Sequence, residues 1–202
     1  MTQFAKIVSI VFHPLLMPTL GFFIILDSSI YLSSSIDPLT TKITYATIFI
    51  FTCVLPFINV WFLVNKGYAK DIYLRTRKER KLPYLFSVVY YLILYYFLKQ
   101  INLPPAIYLM ILGTTIAAII TLLINLRWKI SAHMVGIGGV LGAVIGISER
   151  FMQNLNGTII VLFLVAGMIG YARLKLDAHT SSQVYAGFAT GFGCLLLMII
   201  AF

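Results

Sequence analysis

The chain has 202 residues, of which 60% are hydrophobic and only 10% charged, and its mean hydropathy is +0.97. Soluble domains contain about 25% charged residues, so this chain cannot cover a water-facing surface with polar groups. An ordinary soluble enzyme is therefore excluded. Fifteen Lys and Arg residues against six Asp and Glu residues give a net charge of +9, which we interpret through membrane topology rather than nucleic-acid binding.

Seven segments resemble membrane-spanning helices, which need about 20 mostly apolar residues. The first contains His13, Pro14 and Pro18, so we expect a kinked helix there. The third, fifth and sixth are short, and two of them could be re-entrant or strongly buried instead. The sequence predicts an all-α polytopic transmembrane bundle of about six to seven spans, forming one integral membrane domain over residues 1–202. The segments are Ile7–Leu26, Ile43–Val64, Leu82–Leu98, Pro104–Leu126, Ala132–Ser148, Thr158–Ala172 and Val184–Phe202.

Glycines recur at the spacing of helix contacts. Gly138, Gly142 and Gly146 form two overlapping GxxxG steps, and Gly187 and Gly191 form another. Small residues four apart allow two helices to approach closely in a lipid environment. We favour packing inside one bundle, and a homo-oligomer held through these helix faces is the alternative.

Positive charge falls mainly on one side of the membrane. Alternating spans place 12 of the 15 cations beside the N-terminus and the loops near 65–81, 127–131 and 173–183. The other three are Lys42, Lys99 and Arg150. Because cytoplasmic loops are enriched in Lys and Arg, the sequence predicts a multi-pass cell (inner) membrane protein whose basic side is cytoplasmic.

Three stretches on this side are rich in groups that bind phosphate. They are KDIYLRTRKERKLPY (70–84), RWKISAHMVG (127–136) and ARLKLDAHTSSQVYAG (172–187). The second puts Ser131, Ala132 and His133 at the start of a predicted helix, where free N–H groups and the positive dipole end suit an anion. The third puts Arg173 six residues before His179. An Arg binds phosphate through paired hydrogen bonds, and two histidines could act as nucleophile and general acid.

These patterns predict an anion site without a metal or cofactor, since zinc, magnesium and P-loop motifs do not occur in the sequence. A second interpretation is open for the basic run 66–81. Such clusters also arise as topology signals that are attracted to lipid headgroups.

At these residues the chain resembles the type 2 phosphatidic acid phosphatases, the lipid phosphatase superfamily shared with vanadium haloperoxidases. The third motif of that family is Ser-Arg, five residues, His, three residues, Asp. Here Ala172-Arg173 is followed at the same spacing by His179 and Gln183. The second motif, Pro-Ser-Gly-His, appears as residues 130–133, Ile-Ser-Ala-His. The first, Lys with six residues and then Arg-Pro, is represented by the cations of 75–83, and the resemblance covers about residues 66–202.

The resemblance implies metal-independent hydrolysis of a phosphomonoester. His179 would attack phosphorus and form a phosphohistidine, oriented by Gln183, and His133 would protonate the leaving group. The residues that would hold the phosphate oxygens are Ser131, Ala132, Arg173, Arg75, Arg77, Arg80 and Lys81. The implied substrate is a membrane lipid, either a phosphorylated lipid or a prenyl diphosphate, that reaches the site sideways from the bilayer.

Four positions depart from the family motifs, which keeps a second function open. Ala172, Ala132, Gln183 and Leu82 stand where the family has Ser, Gly, Asp and Arg. Gln183 can accept a hydrogen bond from a histidine ring but brings no charge. The alternative is a non-catalytic relative that binds anionic lipid headgroups or scaffolds membrane proteins. A small transporter is disfavoured because the spans contain no charged residue near their middle, and we interpret His13 as a hydrogen-bonding residue near a proline kink.

Overall fold

The computed structural model describes residues 1–201, except for the side chain of Ile30; Phe202, which ends the seventh predicted span, lies outside the described residues. The described residues form helices and loops and no strand, so the predicted all-α fold is confirmed. In chain order the helices are α1 (Thr2–Val11), α2 (Met17–Ser28), α3 (Ile30–Ser34), α4 (Pro38–Phe49), a π-helical segment (Ile50–Val54), α5 (Leu55–Asn65), α6 (Lys81–Gln100), α7 (Pro105–Asn125), α8 (Ala132–Arg150), α9 (Asn156–Lys175) and α10 (Ser181–Ala201).

Six helices among the described residues are long and apolar enough to cross a membrane. They are the continuous helix Pro38–Asn65 and the helices α6 to α10. The predicted bundle of about six to seven spans is thus confirmed, and the three segments that looked short reach 19 or 20 residues. In the apolar window of α8, 61% is buried, against 28–39% in the other spans. Helix α8 is therefore the central helix of the bundle.

The helix Pro38–Asn65 contains the π-helical segment at its middle. Pro56, two residues after this segment, has no amide hydrogen to donate to the preceding turn, so the regular hydrogen-bond ladder is interrupted there. The hydroxyl of Thr52 in the π-helical segment lies 3.3 Å from that of Thr19 in α2. The irregular turn thus faces α2.

The expectation of one kinked helix over Ile7–Leu26 is wrong. Helices α1 and α2 are separated by a bend over residues 12–16. Pro14 lacks an amide donor and disfavours helical geometry at His13, so the chain leaves the helix there. Pro18 lies in the first turn of α2, where no intrahelical donor is required.

Helices α2 and α3 together follow α8 toward its far end. Gly21 packs against Val140, and further along, Tyr31 stacks on Phe151 just after the end of α8, with ring centroids 4.7 Å apart. The bend and the loops 66–80, 126–131 and 176–180 therefore meet at one end of the bundle, which we call the basic end. The predicted grouping of the three basic stretches agrees with this arrangement.

Helices α8 and α10 touch through their glycines. A methyl group at Gly138 would overlap the backbone carbonyl of Phe188, and one at Gly191 would overlap the carbonyl of Val135. Gly142 meets the carbonyl of Phe192 in the same way. The interpretation of these glycines as packing residues within one bundle is confirmed, and the homo-oligomer stays a prediction.

Candidate functional site

A cavity of about 990 Å³ opens at the basic end and extends into the membrane-spanning part of the bundle. Helix α8 lines it from Ala132 to Ala143, which is 11 residues further along, or about 16 Å at the α-helical rise of 1.5 Å per residue. Its deep walls are mostly apolar and include Phe22, Val60, Tyr91, Met110, Ile111 and Leu195. Its polar lining at the basic end includes Ser9, His13, Arg80, Lys129, His133 and Arg173.

The start of α8 is placed as the sequence predicts. The helix begins at Ala132, and Ser131 precedes it as the N-cap residue. The Ser131 amide donates to the backbone carbonyl of Gln183 at 3.4 Å, which joins the starts of α8 and α10. The Ser131 hydroxyl is buried and has no hydrogen-bond partner among the described residues. Two of the predicted motifs are thus connected through the backbone.

Gln183 determines which ring nitrogen of His179 carries a proton. Its Oε1 accepts from the Thr180 amide at 3.4 Å and lies 2.9 Å from His179 Nδ1. Because a backbone amide only donates, the shared atom must be the amide oxygen, and Nδ1 must be the donor to it. Nε2 of neutral His179 therefore carries the lone pair, as a nucleophile requires.

The same glutamine also caps α10. Thr180 and Gln183 stand three residues apart immediately around the helix start, the spacing of a capping box. The sequence analysis missed this local signal and considered Gln183 only as a substitute for Asp. The side chain has a structural role as well as its contact with His179.

His179 is buried beside several cations. Burial lowers its pKa to about 3, the charges of Arg80, Arg173 and Lys129 act in the same direction, and the hydrogen bond to Gln183 opposes them. The imidazole is consequently neutral at pH 7. Lys129 donates to the Ala178 carbonyl at 3.0 Å, and its pKa is also lowered by burial and by Arg80 and Arg173. Arg80, Lys129 and Arg173 also line the same cavity, so the cations converge on one region.

Arg80 is the cation of the first basic stretch that turns inward. Its side chain is 8% exposed, with Nε donating to the Leu74 carbonyl at 2.7 Å and Nη1 to the Ile130 carbonyl at 3.4 Å. Glu79 folds the loop by accepting from the amides of Lys70 and Thr76 at 3.2 and 2.9 Å. The loop thereby holds one arginine over the start of α8.

The other cations of that stretch lie elsewhere. Arg75 reaches the cavity mouth but is exposed and pairs with Asp71 at 3.1 Å. Arg77 and Lys81 do not line the cavity, and the Arg77 carbonyl accepts from Asn125 at 3.0 Å. The predicted site residues that line the cavity are Arg75, Arg80, Ala132, His133 and Arg173. Three predicted site residues do not line the cavity and lie beside it, at the adjoining starts of α10 and α8. They are His179, Gln183 and Ser131.

Helix α1 and the bend that follows it add residues that the sequence analysis did not assign to the site. The His13 and His133 rings meet edge to face with centroids 5.7 Å apart. The predicted hydrogen bond near the kink is present, with the Leu15 amide donating to His13 Nδ1 at 3.4 Å. Ser9 contacts both Arg173 and His133. The signal in the sequence that could have assigned this segment to the site is His13, a histidine at a break in an apolar segment.

Comparisons of the chain with protein-family models, curated proteins and solved structures find no match.

Proposed function

We propose that the protein is an integral membrane phosphatase that hydrolyses a lipid phosphate or prenyl diphosphate through a phosphohistidine intermediate. The observation that carries this proposal is the cavity, which joins a cationic end to an apolar interior. A phosphorylated lipid has the same division, with an anionic headgroup and a hydrocarbon chain. Arg80, Lys129 and Arg173 would neutralise the headgroup, and the deeper walls would surround the chain.

The reaction would begin at His179. Its Nε2 lone pair attacks phosphorus while the bond from phosphorus to the lipid oxygen breaks, and His133, protonated on both ring nitrogens for this step, gives that oxygen its Nδ1 proton. Water then attacks phosphorus, losing a proton to His133, and the nitrogen–phosphorus bond breaks to release inorganic phosphate. The cations and the N–H groups in the first turn of α8 stabilise the charge on the phosphate oxygens. This division of roles follows the family resemblance and uses no metal.

The basic end would face the cytoplasm of a cell whose inner membrane holds the protein. The support is the distribution of cations, with 12 on the side of this end and 3 on the other. Substrate would reach the cavity from the cytoplasmic leaflet. The face can be tested independently of activity by replacing Cys53 and Cys194 with alanine, placing one cysteine at Lys78 or at Lys42, and labelling it in sealed membrane vesicles of known orientation.

The activity test compares purified wild-type protein with His179→Ala in lipid vesicles. Phosphatidic acid, phosphatidylglycerophosphate and a prenyl diphosphate are supplied, and inorganic phosphate is measured. Wild type should release phosphate from at least one of them, and His179→Ala should lose that release. Lys42→Ala, at the opposite end, serves as the matched control and should keep it. Equal release by wild type and His179→Ala would refute the phosphatase proposal.

A non-catalytic lipid-binding relative is the second candidate, and Gln183 is the observation that favours it. This neutral side chain already caps α10 through the Thr180 amide, and it cannot stabilise a histidine cation as a carboxylate would. A binding protein would retain anionic vesicles without any turnover. Arg173→Ala or Arg77→Ala would then weaken vesicle binding, whereas His179→Ala would produce no loss of an activity.

A further inference from the structure

Ser9 makes two hydrogen bonds to residues of the candidate site. Arg173 Nη1 donates to the Ser9 hydroxyl at 3.2 Å, and His133 Nε2 lies 3.0 Å from the Ser9 carbonyl oxygen. Ser9 is 9% exposed on α1, a helix that packs against α9, the helix of Arg173. One residue thus connects two functional side chains from different helices.

The hydroxyl can orient Arg173 without neutralising it. A guanidinium has five N–H donors, and Arg173 Nε is buried without a hydrogen-bond partner among the described residues. A carboxylate at the position of Ser9 would fix the guanidinium but would also compete with a phosphate for its charge. A neutral hydroxyl fixes one nitrogen and leaves the charge and other donors available.

The carbonyl has a separate effect on His133. Since a carbonyl only accepts hydrogen bonds, Nε2 of His133 must carry a proton, and Nδ1 is the nitrogen left to give a proton to the leaving oxygen and to take one from water. The His13 ring packs edge to face against the same imidazole. The Ser9 carbonyl on α1 therefore sets which nitrogen of His133 carries a proton, and the His13 ring in the bend supports the orientation of the imidazole.

We propose that Ser9 is a positioning residue of this site, with its hydroxyl orienting Arg173 toward a phosphate group and its carbonyl orienting His133. The inference rests on the proposed function for its substrate, and it places the N-terminal segment, outside the phosphatase-like region 66–202, in the working site. Ser9→Ala removes the hydroxyl contact alone and keeps the carbonyl. Ser9→Thr keeps a hydroxyl and serves as the rescue variant.

The experiment measures KM and kcat for a phosphorylated lipid in vesicles, together with the affinity for orthovanadate, a phosphate mimic. Ser9→Ala should raise KM and weaken orthovanadate binding about tenfold, the lower end of what a hydrogen bond to a charged group contributes. The value of kcat should change less than about twofold because Arg173 would hold bound substrate and transition state alike. Ser9→Thr should restore both constants. Ser148→Ala, which removes a serine hydroxyl bonded to the Gln153 carbonyl away from the cavity, is the matched control.

The possible results separate this inference from the proposed function. If Ser9→Ala matches Ser148→Ala in KM and orthovanadate affinity, Ser9 has no positioning role, although phosphate release that depends on His179 would still support the phosphatase. A fall in stability and kcat without rescue by Thr would show a merely structural role and would also overturn the inference. If wild type binds orthovanadate without turnover and Ser9→Ala weakens that binding, the positioning role stands and the phosphatase proposal fails. If wild type neither hydrolyses a lipid phosphate nor binds orthovanadate, the positioning role of Ser9 and the phosphatase proposal are both overturned.

Discussion

The two walls of the cavity are built in opposite ways. On one side, α8 and α10 approach until glycines meet backbone carbonyls, and the Ser131 amide bonds to the Gln183 carbonyl. On the other side, α2, α5, α6 and α7 line the 990 Å³ cavity. We call these the glycine-packed wall and the open wall. The difference indicates that contact between helix backbones fixes the position of polar groups. The gap between helices provides space for the hydrocarbon chain of the proposed substrate.

The walls also differ in chemistry. The starts of the two helices in the glycine-packed wall carry His133 and, just before α10, His179. The open wall contributes apolar side chains such as Phe22 and Val60. A substrate that spans both would be held firmly at its charged end and loosely along its chain. The following variants test whether the walls have these separate roles.

The largest effect is expected from a single methyl group in the glycine-packed wall. Gly191→Ala would place its Cβ against the Val135 carbonyl and the Gly139 amide, which forces α8 and α10 apart. Overpacking of this kind costs about 1–3 kcal/mol, and separating the helix starts should reduce kcat/KM about 100-fold or more. Thermal unfolding in detergent and phosphate release measure the two effects.

Gly193→Ala is the matched control on the same helix. A methyl group there meets no atom within 4 Å, and alanine is favoured over glycine in a helix by about 1 kcal/mol. Stability should stay equal or rise, and activity should persist. Similar losses in both variants would contradict the backbone-contact role of Gly191.

The second-largest loss of activity is expected from replacing Arg80, the cation of loop 66–80 that turns inward. Arg80→Ala should reduce kcat/KM about 100-fold, because hydrogen bonds to charged groups contribute about 1.5–3 kcal/mol each. It would also leave the Leu74 and Ile130 carbonyls without their partner. Arg80→Lys should recover only part of the loss, since an ammonium lacks the planar fork of donors. Steady-state kinetics in vesicles provide the measurement.

Lys81→Ala removes an exposed charge from the adjacent position, so it controls for net charge. Its kcat/KM should remain within about twofold of wild type. If Lys81→Ala is as damaging as Arg80→Ala, general attraction of anionic lipid would explain the loop, and the inward turn of Arg80 would have no special importance.

Sequence reasoning predicts the glycine-packed wall better than the open wall. The starts of α8 and α10 follow from local signals, namely the apolar runs and the residues just before them, and the glycine spacing marks their contact. The capping box around Gln183 was equally local, although it was overlooked. These features depend on residues a few positions apart.

The remaining parts of the site depend on distant contacts. Ser9 and Arg173 are 164 positions apart, and no periodicity in either segment indicates their meeting. The cations of 75–81 look equivalent in the sequence, and only the folding of the loop around Glu79 turns Arg80 inward. The bend at Pro14 was expected as a kink, yet the completely broken helix is what brings His13 to His133.

A smaller effect is expected from filling the cavity between the walls. Ala118 on α7 lines the cavity, and Ala118→Phe should occupy space that the hydrocarbon chain needs. KM for a long-chain lipid phosphate should rise about tenfold, which corresponds to about 1.4 kcal/mol of lost burial. Hydrolysis of a small water-soluble phosphate monoester should be unchanged, because the cationic end stays intact.

Ala189→Phe adds the same ring to an exposed position on α10 and is the control for bulk alone. It should affect neither substrate. Equal loss of activity toward the lipid and the soluble ester in Ala118→Phe would mean that the open wall does not hold the chain.

The last prediction is that the protonation state of His179 in the folded protein does not change with pH over the working range. Its pKa, lowered to about 3 by burial and by the charges of Arg80, Arg173 and Lys129, keeps the ring neutral from pH 8 down to about pH 4. In the unfolded chain the ring would bind a proton near pH 6.5. Between these two values the unfolded state binds more protons, so the free energy of unfolding falls as the pH drops through this window.

Nitrogen NMR of protein labelled at its three histidines can follow this directly, with the His179 signals identified by their loss in His179→Gln. They should show a proton on Nδ1 and a bare Nε2 throughout the range from pH 8 to 4.5. Titration near pH 6.5 would mean that the imidazole is solvated and remote from the cations. The glycine-packed wall would then not hold His179 against the cationic end of the cavity, and His179 would not be the proposed nucleophile.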